Sequence, residues 1–456
     1  MKVKLTIAPI LVLLILTLSA CGKVHETTLA NGLKVIVKED HRSPTVVSQL
    51  WYKIGSSDEP QGLTGISHVL EHMMFKGTQR YKAGEFSRII AEQGGRDNAF
   101  TSLDYTVYFQ QLEKSRLPIS FELESDRMQN LLLQETEFKP ELQVVMEERR
   151  MRTDDQPESL VYEKFMATAY QVHPYKHPVI GWMADLEKLT VKDVRDWYQR
   201  WYVPNNATLV VVGDVAPREV FALAKQYFGP VPSRPLVRTP VPAEPPQRDM
   251  RQAEVSAPAE VPYLLLGFHT PSLTKKDEWE PYALDVLSAV LDGGASARFS
   301  RQLIREQQIA TGVDSDYSPT ARFAGIFNVS GVPAQGHNLA ELKTAVLAQI
   351  EQIKREPATP EELKRVKAQV VARQIYNRDS VFSQAMLIGM FETVGLDWRF
   401  IDEYVDRIRA VTPQQVQEVA RKYLVEPNMT LVTLKPLPTK NAKRPSAPAG
   451  RGDHVR

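Results

Sequence analysis

Two histidines four residues apart, His68 and His72, bracket a glutamate in the stretch Thr64-Gly-Ile-Ser-His68-Val-Leu-Glu71-His72-Met-Met-Phe-Lys-Gly77. On a helix such a pair leaves one face a single turn apart, so both imidazoles can hold one metal ion. Glu71 points to the same side. A carboxylate there can accept the proton of an attacking water, which is what metal-assisted hydrolysis demands. Ile66, Val69, Leu70, Met73 and Met74 cover the remaining faces, and Gly77 closes the helix. The helix is therefore expected to be largely buried, and buried histidines need a reason.

A metal held by this pair needs a third protein donor and an open position. The order H-x-x-E-H reverses the commoner H-E-x-x-H and is that of the inverzincins. The segment His68-x-x-Glu71-His72-Met-Met-Phe-Lys-Gly-Thr resembles the active-site helix of the pitrilysin, insulysin and mitochondrial processing peptidase family, in its short-subunit branch. That resemblance implies one zinc ion per chain and a third ligand on a later helix. The stretch Glu141-Leu-Gln-Val-Val-Met-Glu147-Glu148-Arg-Arg-Met is similar to that helix, with Glu148 lying 76 positions after His72 and Glu141 seven before Glu148. Glu148 is the implied ligand, and Glu141 supports the site from behind it. Glu147 stands next door, and a slip of one residue lies within the family's variation. At about 100° of turn per residue, only one of the two can face the metal. Taken alone, this acidic run would read as a solvated helix face.

The resemblance extends to Gly94-Gly95-Arg-Asp-Asn98-Ala99-Phe-Thr101, which is similar to a sheet edge beside the metal where an extended peptide adds as one more strand. Backbone hydrogen bonds of that kind belong to every peptide and suit a loose sequence preference. Asn98, Ala99 and Phe75 are the implied substrate contacts. On the residues alone, the stretch is equally a turn and a plain edge strand. The chain is thus expected to be a zinc-dependent endopeptidase acting on peptides or unfolded segments, with His68, His72 and Glu148 as ligands and Glu71 as general base. No Gly-x-Ser-x-Gly is present to build a nucleophile elbow. The rival class is a binding or assembly subunit that keeps the fold without turnover. Such relatives usually have a broken ligand set, whereas all four residues stand here.

These side chains must be carried by a larger frame. Leu33 to Val37 and Val46 to Tyr52 read as strands leading into the metal helix, and Tyr105 to Gln110 as another. Thr190, Val194, Val203, Asn206, Thr208, Leu209 and Val210 recur 222 residues later as Thr412, Val416, Val425, Asn428, Thr430, Leu431 and Val432. An internal repeat of this kind predicts an α+β fold of two homologous domains, each a mainly antiparallel sheet covered by helices on one face. By resemblance, the pair makes half of a clamshell chamber. The expected boundaries are a leader at 1–20, a catalytic domain at 21–232, a proline-rich linker at 233–262, a second domain at 263–437 and a disordered tail at 438–456. In the second domain the helix at Pro281 to Leu291 has no histidine. His269, His337, His173 and His177 are expected to be ordinary polar or loop residues.

The leader has a basic start, Met1 to Lys4, an apolar run from Leu5 to Leu18 and then Leu18-Ser-Ala-Cys21-Gly. This resembles a bacterial lipoprotein signal, with Cys21 as the lipidated residue and the periplasmic face of the outer membrane as the expected location. Cys21 is the only cysteine, so no disulfide can form within the chain. The net charge is +1, from 56 basic and 55 acidic residues, without a basic patch that would suit nucleic acid. In the family the opposite half of the chamber supplies an Arg and, seven residues on, a Tyr. The matching stretch here, Leu303 to Thr311, puts Ile304 and Thr311 at those places, with Arg305 and Tyr317 nearby but off register. The resemblance therefore implies a homologous, non-identical partner chain that brings the Arg/Tyr pair.

Overall fold

Apolar and polar residues fail to alternate in the strand Ala207–Gly213, where all seven residues are buried, and the cause is that the sheet is covered on both sides. The computed structural model describes residues 22–275, 277–376 and 378–438. The leader, Cys21 and the tail after 438 lie outside them. The first sheet contains β1 (Val24–Thr28), β2 (Lys34–Glu39), β3 (Thr45–Tyr52), β4 (Arg96–Thr101), β5 (Thr106–Glu113) and β6 (Ala207–Gly213), in the order β1-β2-β6-β3-β5-β4. The second contains β7 (Arg251–Pro258), β8 (Tyr263–Thr270), β9 (Ala310–Asp316), β10 (Gly325–Pro333) and β11 (Met429–Leu437), in the order β7-β11-β8-β10-β9. With β1 set aside the two orders are the same, down to one parallel pair in each, β2 with β6 and β7 with β11. The fold is α+β with two like halves, as the repeat requires.

Leu209 and Val211 face the core beneath the metal helix, while Val210 and Val212 face a second cluster with Ile36, Val47, Trp51 and Val107. That second cluster is closed by Ala385 and Ile388 of the helix Val381–Thr393, which belongs to the other half of the chain. In return, the helix Pro157–Ala169 of the first half sets Val161, Phe165 and Ala169 against Leu265, Val432 and Leu434 of the second sheet. Each half thus covers the back of the other's sheet with one helix. The repeat announces the helices on one face of each sheet but not this exchange.

The exchange is keyed by size. Trp51 pairs with Thr208 and Gly267 with Thr430, which are repeat partners, so Trp51 and Gly267 occupy equivalent places on the two sheets. The covering helices carry Phe165 and Gly389 at matching positions. A Cβ on Gly389 would lie 2.0 Å from the Trp51 ring, and one on Gly267 would lie 2.7 Å from Phe165. Large strand residue meets small helix residue in one half, and the reverse holds in the other. Trp51 cannot step aside, because it is fully buried, donates from Nε1 to Gln49 Oε1 at 3.0 Å and packs on Tyr105 at 5.0 Å. Gly389→Ala would gain about 1 kcal/mol of helix propensity, but overpacking a rigid site costs typically 1–3 kcal/mol. The clash is severe enough to win, so the variant is expected to unfold a few degrees lower in a thermal scan. An unchanged or raised midpoint would contradict this packing.

The stretch 233–262, expected to be a linker, is corrected in its second part. Arg251–Pro258 is strand β7, paired in parallel with β11. Its inward residues Ala253, Val255 and Ala257 are small and its outward ones polar, as suits an edge strand, and the flanking prolines masked that alternation. Upstream, Glu244 accepts the backbone N–H groups of Gln171, Val172 and His173 at 2.8, 2.9 and 3.0 Å, clasping the crossing segment to the first half.

Candidate metal centre

The metal helix, Ile66–Met73, starts from Gly65 in the left-handed region, where a Cβ would strike Ile180 O at 2.5 Å. Its first amides have an internal partner: the carboxylate of buried Glu59 accepts Gly65 N–H at 2.7 Å and Ser67 N–H at 2.8 Å. A carboxylate at this end also meets the positive pole of the helix. The apolar residues fall where the spacing puts them, with Ile66, Val69, Leu70 and Met73 in the core. His68 and His72 emerge together, their rings 4.8 Å apart.

Opposite them lies the helix Glu135–Arg149. Glu148 Oε2 is 3.3 Å from His72 Nε2 and 3.8 Å from His68 Nε2. One donor atom from each of the three residues lies within 4.8 Å of the others. Zinc bonds of 2.0–2.2 Å in a tetrahedron set their donors about 3.3–3.6 Å apart, so the group suits zinc in chemistry, with the two Glu148 separations at or near that spacing. The two neighbouring glutamates point in different directions. The Glu148 side chain is 16% exposed, whereas that of Glu147 is 64% exposed and pairs with Arg150. Glu148 Oε1 is taken by Arg152 at 2.6 Å. Behind His72, Glu141 Oε1 lies 2.8 Å from Nδ1, and Lys76 binds the other oxygen of Glu141. That arrangement fixes the ring orientation of His72.

Electrostatics follow the geometry. Burial pushes His68 down to about 3, with the charge of His72 acting in the same direction. Burial also opposes charge on His72, but hydrogen bonds to Glu141 and Glu148 raise it to about 9. Glu148 is held at about 2 because the two imidazoles and Arg152 outweigh its burial. Burial raises Glu71 to about 7 against the hydrogen bond from Thr101. Thr101 Oγ1 donates to Glu71 Oε2 at 2.5 Å.

Thr101 ends β4, the outermost strand on its side of the sheet, so among the described residues the outer backbone edge of β4 has no partner strand. Asn98 and Ala99 lie on this edge, and Asn98 Oδ1 accepts Ala99 N–H at 2.9 Å. Together with Phe75 they line a cavity of about 920 Å³ that also contains His68, Glu71, His72 and Glu148. Phe75 is held in that wall by Phe86 and by the buried Arg127 guanidinium, 5.2 Å from its ring. His173 is buried among Tyr170, Tyr175 and Phe323. His177 reaches the cavity wall but is no part of the donor group. His269 Nε2 sits 2.9 Å from Ala169 O, and His337 pairs with Glu341. In the second half, the helix Glu280–Asp292 has no histidine. Its buried Asp285 accepts Tyr404 OH at 2.6 Å and lies 3.6 Å from Arg373. Arg305 is exposed and donates from Nη2 to Ala295 O at 2.6 Å, and Tyr317 is buried, donating to Pro271 O at 2.6 Å. Sequence reasoning missed Thr101 as partner of the base, and Lys76 and Arg152 as partners of the glutamates. Helical spacing could have flagged Arg152, four residues after Glu148, whereas Lys76 lies past the end of its helix and meets Glu141 from another one.

Residues 34–182 match the family described as Insulinase (Peptidase family M16), and residues 188–370 match its inactive domain. Zinc protease PqqE of Helicobacter pylori is 34% identical over 418 residues, covering 90% of this chain and 93% of that protein. The chain belongs to peptidase family M16. An M16 relative in Streptomyces coelicolor, the uncharacterized zinc protease SCO5738, is 28% identical over 93% of this chain and 92% of its own length. The solved structure of a protease from Helicobacter pylori superposes with a TM-score of 0.85 at 33% identity, over 91% of this chain and all of that one. The periplasmic protease PqqL from Escherichia coli shares the fold, with a TM-score of 0.75 at 20% identity, and 91% of this chain spans 47% of it. The match to the inactive M16 domain takes in the end of the first half, with β6, and most of the second half, where the described residues hold no ligand group.

Proposed function

We propose that this M16 chain is a zinc-dependent endopeptidase that cuts peptides or unfolded segments laid along β4. The observation that carries the reading is the convergence of His68, His72 and Glu148 beside Glu71 and an unpaired strand edge, in one cavity. Zinc held by those three residues supplies a Lewis acid that lowers the pKa of water and polarises a carbonyl. The residues of the chain do the rest. Backbone groups of β4 bind and align an extended peptide. Glu71, fixed through one oxygen by Thr101, keeps the other for the proton of the attacking water and returns that proton to the departing amine. Glu141 and Lys76 hold His72 in orientation. The reading as a silent assembly subunit has less support, since the three candidate ligands and the candidate base stand together in one cavity.

A single chain is one half of a closed chamber in this reading, and a homologous partner supplies the Arg/Tyr pair. Two facts support it: Tyr317 is buried with its hydroxyl on Pro271 O, and the chain spans about half of PqqL. The test is to purify the chain alone and with a homologue from the same source, measuring mass in solution and cleavage of a quenched peptide panel. Cleavage that appears or rises at least tenfold on mixing is expected. Full activity from this chain as a homodimer would contradict the partner.

The leader supports anchoring by lipid on Cys21 at the periplasmic face of the outer membrane. Among the described residues no helix is long and apolar enough to cross a membrane. Cys21→Ser is expected to move the protein from the membrane fraction to the soluble one, or to block its processing. A wild-type protein found wholly soluble with an unmodified Cys21 would contradict the anchor.

A further inference from the structure

Arg322 belongs to the half without ligands, in the loop between β9 and β10, yet its contacts are in the other half. Its guanidinium donates to both oxygens of Asp58, from Nη1 at 3.1 Å and from Nη2 at 3.0 Å, and to Ser57 Oγ at 3.2 Å. Its backbone N–H donates to Asp104 at 3.1 Å, and Nε lies 3.7 Å from the same carboxylate. Asp104 also accepts Tyr175 OH at 2.7 Å and Ser57 Oγ–H at 3.1 Å. The side chains of Asp58 and Asp104 are 9% and 6% exposed, so the grip on Asp58 is a desolvated, two-pronged charge contact of the strong kind, while Asp104 takes the backbone N–H and lies within ion-pair range of the same guanidinium.

What Arg322 grips is next to the chemistry on both sides. Asp58 precedes Glu59, whose carboxylate caps the metal helix just before His68. Asp104 sits three residues after Thr101, which holds Glu71. The two gripped turns are themselves laced together, Ser56 N–H to Ser102 O at 3.1 Å and Ser57 N–H to Leu103 O at 2.8 Å. Arg322 therefore ties the start of the metal helix to the end of the peptide-accepting strand, with its guanidinium on Asp58 and on Ser57, which passes the contact on to Asp104, and with its backbone N–H on Asp104 directly. Arg238 also reaches Asp58, at 3.2 Å, so loss of Arg322 does not strand that carboxylate unpaired.

We propose that Arg322 is a positioning residue for the candidate site, so that the ligand-free half completes the site in cis. The proposal rests on the hydrolytic reading above for its kinetic consequence but not for its structural one. The experiment compares full-length wild type with Arg322→Met, Arg322→Lys and Ile388→Ala. The last is a control that weakens the other contact between the halves, behind the first sheet. Thermal midpoint, zinc content, kcat and KM are measured below all the midpoints, together with amide hydrogen exchange over residues 55–67 and 101–105. Displacements of the order of an ångström in such a site cost up to about a hundredfold. Arg322→Met is expected to keep its zinc, lose about tenfold in kcat with KM changed less than twofold, and exchange faster in both segments. Arg322→Lys, with the charge but not the fork, should recover part of the loss. Ile388→Ala should lose thermal stability while keeping kcat and local exchange. Wild-type kcat in Arg322→Met, unchanged exchange in the two segments, or an equal kcat loss in Ile388→Ala would each overturn the proposal. If the wild type cleaves nothing even with a homologous partner chain present, the hydrolytic reading fails, and the exchange comparison alone decides whether Arg322 holds the two turns.

Discussion

Glu71→Gln is expected to fold, to keep its zinc, and to lose between about 10² and 10⁴ in peptide turnover, the range that a positioned proton acceptor supplies. The amide is close to isosteric, and Thr101 Oγ1 can still donate to its carbonyl oxygen, so the helix and its histidines stay in place. What disappears is the carboxylate beside the three candidate ligands whose second oxygen is left for the water's proton. The expected signature is a fall in kcat with little change in KM, since Glu71 acts on the reacting proton and not on the peptide laid along β4. Loss of zinc on the same substitution would mean that Glu71 is a ligand. Retention of turnover would mean that the base lies elsewhere.

Glu148→Gln is expected to fail earlier, at metal binding. Removing a group that merely orients a ligand costs 10–100-fold in metal affinity, so removing a charged donor should cost more than about a hundredfold. It also leaves Arg152 beside two imidazoles with no carboxylate between them. Glu147→Gln is the matched control, because its side chain points into solvent against Arg150 and should change nothing. Competition with a chromogenic chelator distinguishes the two. If Glu147→Gln strips the zinc and Glu148→Gln does not, the ligand helix is one residue out of register.

The legibility of the molecule varied with how local its physics is. The metal helix could be read directly, because two histidines one turn apart on an otherwise apolar helix are a local pattern. The two like halves could be read from Thr190 to Val210 recurring as Thr412 to Val432, since these residues cap a helix and fill a central strand in each sheet. Glu148 needed the resemblance to be proposed, and it needed the helix direction to be separated from Glu147. Strand β7 was hidden because an edge strand can be built from small residues among prolines. The exchanged helices were hidden for a different reason. Trp51 against Gly389 and Phe165 against Gly267 are contacts between distant segments, and nothing local marks their complementarity. Arg322 is the extreme case, 264 residues from the Asp58 it holds.

The most direct measurement takes zinc content and cleavage on one preparation. The chain is stripped with chelator, zinc is returned in fractions of an equivalent, and metal and cleavage of a quenched peptide are followed together, with the partner chain absent and then present. The account predicts saturation at one zinc per chain, cleavage rising in step with it, and a Glu71→Gln chain that saturates equally yet stays silent. A chain that takes up no zinc, that cleaves as well when stripped, or that remains silent at full zinc with and without its partner would contradict it.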